Sequence, residues 1–413
     1  MDHFNYQNKQ LFAEGVPLND VAKKYGTPAY VYSRATLERH AKAYTESFNS
    51  MNGLVCFSVK ALSNISILKI LKNCGCGFDI VSGGELHRVL LAGADPKKII
   101  FSGVGKSKAE MSAGIKNKIL SFNIESESEL IQLEKVAAEM GKTAPVAIRF
   151  NPGVDAGVHE FTKTGRKSDK FGVSINKAMQ LSAYCIKSKT LNIVGLTCHI
   201  GSQITELGKF KEAAHQSLKF LLNIEKLGVS LDFIDMGGGL GVTYVNEQTV
   251  QPNELIKCYE EVFKGRSERL IVEPGRSISA NAGVMLTKIE YKKDSFLITD
   301  AAMNDLLRPA LYQAKHDVWQ VQNNDKDYQN YSVVGPICET GDFLAKDVRL
   351  SASEGDLLAI RTVGAYGFVM SSNYNSRMRS AEILVDKNEF HLIRRRENLS
   401  DLTALEEDLD DQV

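Results

Sequence analysis

In the stretch "GLVCFSVKAL", Lys60 follows the run over residues 54–59, whose β-branched and apolar residues read as a buried strand. An ammonium is expensive to bury unpaired. Such a lysine either meets solvent at the strand end or reacts through its amine, as in Schiff-base chemistry. Other reactive types stand at the ends of comparable runs: Asp79, Arg149, His199, the triple glycine Gly237-Gly238-Gly239, and Glu273. The set holds an amine, an imidazole, charges of both signs and unobstructed backbone N–H groups fit for an anion. Each has a plainer alternative. His199 alone reads as a hydrogen-bonded core histidine, and a glycine run alone reads as a flexible turn.

The elements that carry these residues decide between the readings. Eight strand-like runs ("LVCFSVK", "GFDIV", "KIIFSG", "ILSFNI", "PVAIRF", "IVGLTCH", "DFIDMG" and "LIVEP") alternate with amphipathic segments between Leu54 and Pro274. One of those segments, "SESELIQLEKVAAEMG", opens on a Ser/Glu cap pattern and ends in glycine. This alternation predicts a parallel (β/α)₈ TIM-type barrel, which gathers the strand-end residues at one mouth. The long interval "NPGVDAGVHEFTKTGRKSDKFGVS" follows the fifth run without helical periodicity, a length that points to a functional loop. Beyond Asn281, runs such as "VMLTKIEYKK", "SFLITDA", "YSVVGPI" and "AEILVDK" are separated by turns. They predict an all-β domain of β-sandwich or β-barrel-like type. The expected division is a barrel over residues 30–280 and a β-domain over 281–413. Residues 1–29 either join that β-domain or lead into the barrel; "PAYVYS" fits both.

On this frame one ligand accounts for the strand-end set. Pyridoxal phosphate would take Lys60 on its aldehyde carbon and the glycines, with Gly275 and Arg276 of "EPGR", on its phosphate. Glu273 follows an apolar run and needs a cationic partner to stay ionised. A protonated pyridine nitrogen is such a partner, and it makes the ring an electron sink.

The bulk composition excludes other classes. Fifty acidic residues balance fifty basic ones in 413, so no overall field calls for nucleic acid. No apolar run approaches the ~20 residues that span a bilayer. The N-terminus "MDHFNYQNKQ" lacks a signal-peptide core. Seven cysteines, at 56, 74, 76, 185, 198, 258 and 338, form no C-x-x-C pair. No metal site is expected, and free thiols in the cytoplasm are.

"FSVKA", "FDIVSGGEL", "RFNPGV", "HIGSQ", "DMGGGLG", "EPGR", "RPALY", "CETGD" and "GAYGFVMSSNYNSR" occur in this order from Phe57 to Arg377. Together they resemble the meso-diaminopimelate decarboxylases, in the alanine-racemase-like class of pyridoxal-phosphate enzymes. The resemblance implies decarboxylation of meso-2,6-diaminopimelate to L-lysine and CO₂, the last step of lysine biosynthesis. It implies that Lys60 carries the cofactor and His199 packs against its ring. Gly238, Gly239, Glu273, Gly275, Arg276 and Tyr366 would complete the cofactor site. Arg276, Arg308, Tyr312 and Tyr366 would meet the substrate, with Glu339 on an ammonium. Cys338 would be the proton donor; outside its motif this residue reads as a small buried hydrophobe. In this family the cysteine segment is presented to a partner's barrel, so a homodimer with shared active sites is implied. The loop "EFTKTGRKSDKFG" resembles the family's lid. Leu62 departs from the asparagine that often follows "KA" in the family.

The chemistry is consistent with these roles. Thiols are mostly protonated at neutral pH, yet a thiolate is a tolerable leaving base. Diaminopimelate keeps a distal carboxylate that Arg276 and Arg308 can bind, which a diamine-forming decarboxylase would not require. The alternatives are decarboxylases of the same class acting on ornithine, arginine or carboxynorspermidine. A further alternative is an inactive regulatory homologue, which the presence of both Lys60 and Cys338 argues against.

Overall fold

The computed structural model describes residues 2–49, 51–155, 157, 170–324 and 328–407. The chain forms two compact units, Glu38–Thr243 with Glu247–Ile278, and Met1–Leu37 with Tyr244–Asn246 and Ser279–Val413.

The first unit is a closed barrel of eight parallel strands. They are β1 (Gly53–Ser58), β2 (Gly77–Ile80), β3 (Ile99–Phe101), β4 (Ser121–Ile124), β5 (Ala144–Arg149), β6 (Leu191–Thr197), β7 (Phe233–Asp235) and β8 (Arg269–Val272). All eight expected runs are present in order. The ring closes where β8 pairs with β1, Val272 opposite Val55. Four of the helices between the strands start on serine side-chain caps, at Ser82, Ser107, Ser126 and Ser174. In the segment beginning "SESEL", Ser126 accepts from the N–H of Glu129 as the pattern predicts. The Glu129 carboxylate instead accepts from the N–H of Glu125, at 2.8 Å.

Strand alternation explains why chemistry collects at one end. Leu54, Cys56, Ile100, Ala147, Val194, Phe233 and Ile271 form an apolar cluster inside the barrel. Two residues further along a strand the side chain points to the same face. Cys56 is thus followed by Ser58, Ala147 by Arg149, Phe233 by Asp235 and Ile271 by Glu273. All four of these polar residues are buried. Gly195 leaves the room that the Phe233 ring fills, since a Cβ there would lie 2.3 Å from the ring.

The second unit is built on a nine-stranded sheet. Its long strand Gly283–Lys293 pairs antiparallel with Ala29–Ser33, which pairs parallel with Ala381–Asp386. This settles the place of "AYVYS" and corrects the boundary at residue 30. The strand is a buried member of this sheet, and the barrel unit begins at Glu38. The preceding residues also belong here. A small sheet (Phe4–Gln7, Gln10–Ala13, Val16–Pro17) and the helix Leu18–Tyr25 place Phe4, Leu11, Val16 and Val21 in one core with Val31, Leu286 and Ile383. The unit therefore carries helix as well as strand. Most of the loop expected as a lid, residues 158–169, lies outside the described residues, as does the end of the acidic tail.

Candidate active site

Within the barrel unit, a cavity of about 390 Å³ is lined by Lys60, Ser102, Arg149, Phe171, His199 and Glu273, among others. Lys60 sits in a single 3-10 turn, Val59–Ala61, directly after β1. Leu62 is buried and its N–H donates to the carbonyl of Val59 at 3.1 Å. The Lys60 Nζ lies 2.8 Å from Asp79 Oδ2, and Ser58 Oγ lies 3.0 Å from the same oxygen. The other Asp79 oxygen is buried without a hydrogen-bond partner.

Glu273 follows β8 and is buried, with Oε1 unpartnered. Burial pushes its carboxyl well above the usual range, and the charges of Asp235 and Asp79 push it the same way, against Lys60. Asp235, at the end of β7, shares a hydrogen bond with Glu273. Asp235 also accepts from Gly237 N–H at 2.9 Å and Thr197 Oγ1 at 3.0 Å. Burial raises Asp235 to about 6. The proton of the pair resides on Glu273, which has less hydrogen-bond support. Such a carboxyl beside an amine suits a ligand that brings a cationic N–H. The pyridinium of pyridoxal phosphate is one, so the residues present fit that group.

His199 is held neutral by burial and by the cations Arg149 and Lys60. Its Nδ1 accepts from Gly238 N–H at 3.2 Å, which leaves the proton on Nε2. The Gly238 N–H therefore orients the imidazole. Gly239 takes φ +112°, and a Cβ there would lie 2.4 Å from the Gly201 carbonyl, so only glycine fits. Gly275 passes close to β1, where a Cβ would lie 3.0 Å from that of Ser58. Arg276 is buried and reaches Ser202 Oγ with Nη2 at 3.0 Å.

Arg308, Tyr312, Cys338, Glu339 and Tyr366 belong to the sheet unit. Arg308 opens the short helix Arg308–Tyr312 and is buried. Tyr366 is half-buried, with φ +57°. Cys338 is exposed, unlike a small core hydrophobe, and Glu339 beside it is exposed too. Their loop is pinned by the buried Asp342, which accepts from the N–H groups of Ile337 at 2.9 Å and Met303 at 2.7 Å. Asn375 Oδ1 accepts from Cys338 N–H at 2.9 Å. The segment "SSNYNSR" thus supports the "CETGD" loop.

Sequence reasoning passed over Asp235, Ser58, Thr197 and Glu125. Glu125 is buried, pairs with Arg149 at 2.9 Å and accepts from Gly103 N–H at 2.8 Å. A carboxylate inside an apolar run, as in "DFIDMG", was the available signal.

Residues 34–280 match the family model for the pyridoxal-binding domain of pyridoxal-dependent decarboxylases. The diaminopimelate decarboxylase of Pseudomonas aeruginosa is 50% identical over 98% of both chains. That of Vibrio cholerae is 51% identical over 98% of this chain and 99% of its own. The crystal structure of diaminopimelate decarboxylase from Helicobacter pylori complexed with L-lysine superposes with a TM-score of 0.92 at 39% identity, covering 96% of this chain and all of that one. With a closed parallel barrel, a separate sheet unit and a lysine-carboxyl cavity, the chain belongs to the diaminopimelate decarboxylases, within the pyridoxal-dependent decarboxylases.

Proposed function

We propose that this chain removes CO₂ from meso-2,6-diaminopimelate to give L-lysine, with pyridoxal phosphate as cofactor. The observation that carries the reading is the unpartnered Oε1 of Glu273, buried in the cavity that Lys60 lines. When bound, the cofactor supplies an electron sink for the pair left by departing CO₂. Lys60 holds it covalently, and Glu273 accepts from its ring nitrogen, which supplies the cation that lets this carboxyl ionise. His199, neutral, offers an uncharged face to the ring. Gly239, Gly275 and Arg276 bind the phosphate through backbone N–H groups, with Tyr366, while Gly238 acts through His199.

For the substrate, Arg276, Arg308 and Tyr312 take carboxylate, Glu339 takes an ammonium, and Tyr366 touches both substrate and cofactor. Cys338 delivers the proton to the α-carbon. These roles rest on matching motifs and on charge: the distal carboxylate survives the reaction and needs a cation throughout. The exposure of Cys338 supports its presentation to a second subunit, in a homodimer with shared sites. The compartment proposed is the cytoplasm, on the odd set of free thiols.

The test is direct. Purified protein loaded with pyridoxal phosphate should release equimolar CO₂ and L-lysine from meso-diaminopimelate and leave ornithine and arginine untouched. Lys60→Ala should lose both the cofactor's visible absorbance and the activity. Turnover of ornithine or arginine in preference to diaminopimelate would refute the substrate assignment.

A further inference from the structure

Arg308 is buried, and its Nη1 lies 3.0 Å from His316 Nε2. His316 is buried as well, and its Nδ1 lies 2.9 Å from the carbonyl oxygen of Arg361. A carbonyl only accepts, so the imidazole proton sits on Nδ1 and Nε2 presents a lone pair to the guanidinium. The Arg308 guanidinium also lies over the Tyr244 ring, 4.6 Å from its centroid. That ring meets His316 edge-on at 5.2 Å and 88°. Chain geometry makes the meeting possible: after the helix Arg308–Tyr312, Gln313 turns at φ +52° and the chain returns His316 to Arg308.

We propose that His316 is a positioning residue for Arg308, with Tyr244 as its partner, and that it fixes the direction in which the guanidinium meets a substrate carboxylate. A guanidinium is planar, so two constraints orient it: one hydrogen bond sets an Nη direction and one stacked ring sets the plane. Both contacts come from uncharged groups and add no anion to compete with a carboxylate ligand. The inference rests on Arg308 binding substrate carboxylate.

The test compares His316→Leu, His316→Gln, Tyr244→Leu and Arg308→Ala as holoenzymes. The readouts are KM and kcat for meso-diaminopimelate, calorimetric affinity for L-lysine, and melting temperature. His316→Leu should raise KM and weaken L-lysine about tenfold, the scale of one hydrogen bond to a charged group. Its kcat should change by less than about threefold. His316→Gln returns an acceptor near the Nε2 position and should recover most of the loss. Tyr244→Leu should give the same pattern more weakly, and it decides the matter if His316→Leu does not fold. Unchanged L-lysine affinity in His316→Leu, with a large loss in Arg308→Ala, overturns the positioning role and leaves the substrate reading standing. A loss that follows melting temperature and is not recovered by His316→Gln also overturns it. Unchanged KM and L-lysine affinity in Arg308→Ala itself removes the reading beneath it.

Discussion

Lys60 Nζ and Asp79 Oδ2 are 2.8 Å apart, yet the lysine side chain is 39% exposed and the aspartate 0%. The barrel thus buries a carboxylate completely and balances it with a partly exposed amine, the one proposed to hold the cofactor. Ser58 Oγ steadies the same oxygen, while Oδ1 has no partner.

Deleting the amine should therefore expose the cost of the buried charge. In cofactor-free protein, Lys60→Met should lower stability by about 2 kcal/mol, the scale for stranding a buried charged group. Adding Asp79→Asn should restore most of it, because the amide carries no charge. Urea melts of wild type, Lys60→Met, Asp79→Asn and the double variant form a double-mutant cycle. Equal stability of Lys60→Met and wild type would mean that Asp79 does not depend on Lys60.

The carboxyl pair predicts a pH dependence. Burial raises Glu273 well above its usual range and Asp235 to about 6. Their unfolded values lie near 4. Below that, both states are protonated and the pair contributes no pH dependence. As pH rises, the unfolded chain releases protons that the folded chain keeps, so stability falls through the folded values. Glu273→Gln removes one of the two acids. Without cofactor, this variant should melt above wild type at pH 8, and the gap should close near pH 4. Loaded with cofactor, it should lose several orders of magnitude in kcat, since each ~1.4 kcal/mol of lost transition-state stabilisation is tenfold. Equal melting at pH 8 would show that Glu273 is not held protonated in the cofactor-free fold.

The barrel was legible because its strands are short apolar runs, several with a polar residue at or just beyond the C-terminal end, and alternation puts that residue on the interior face. Asp79, Arg149 and Glu273 were legible on this rule, while Ser58 obeys it and was hidden by its neighbour Lys60. Asp235 follows from it too, but beside "GGGLG" the glycines drew the reading. "AYVYS" was ambiguous for the opposite reason: all five residues are buried, and an apolar run carries no mark of which sheet it joins. His316 was invisible because its role is set by contacts with Arg308 and Tyr244, a residue far away in sequence. Cys338 could be read only through "CETGD", since an isolated cysteine has no periodic partner. Its exposure and its anchor on Asn375 emerge from the loop's hydrogen bonds.

The proposed homodimer makes a prediction about two residues on different units of the chain. Cys338 lies in the sheet unit and Lys60 in the barrel unit. If the cysteine serves a partner's barrel, each active site draws on two chains. Lys60→Ala and Cys338→Ala, each nearly inactive alone, can then be mixed under conditions that let subunits exchange. A mixed dimer has one site with both lesions and one with neither. Random exchange of equal amounts makes about half of all dimers mixed, so about a quarter of wild-type activity should return. Native mass spectrometry of differently tagged subunits checks that exchange took place. Verified exchange without recovered activity would mean that the cysteine acts within its own chain, and the shared site would have to be abandoned.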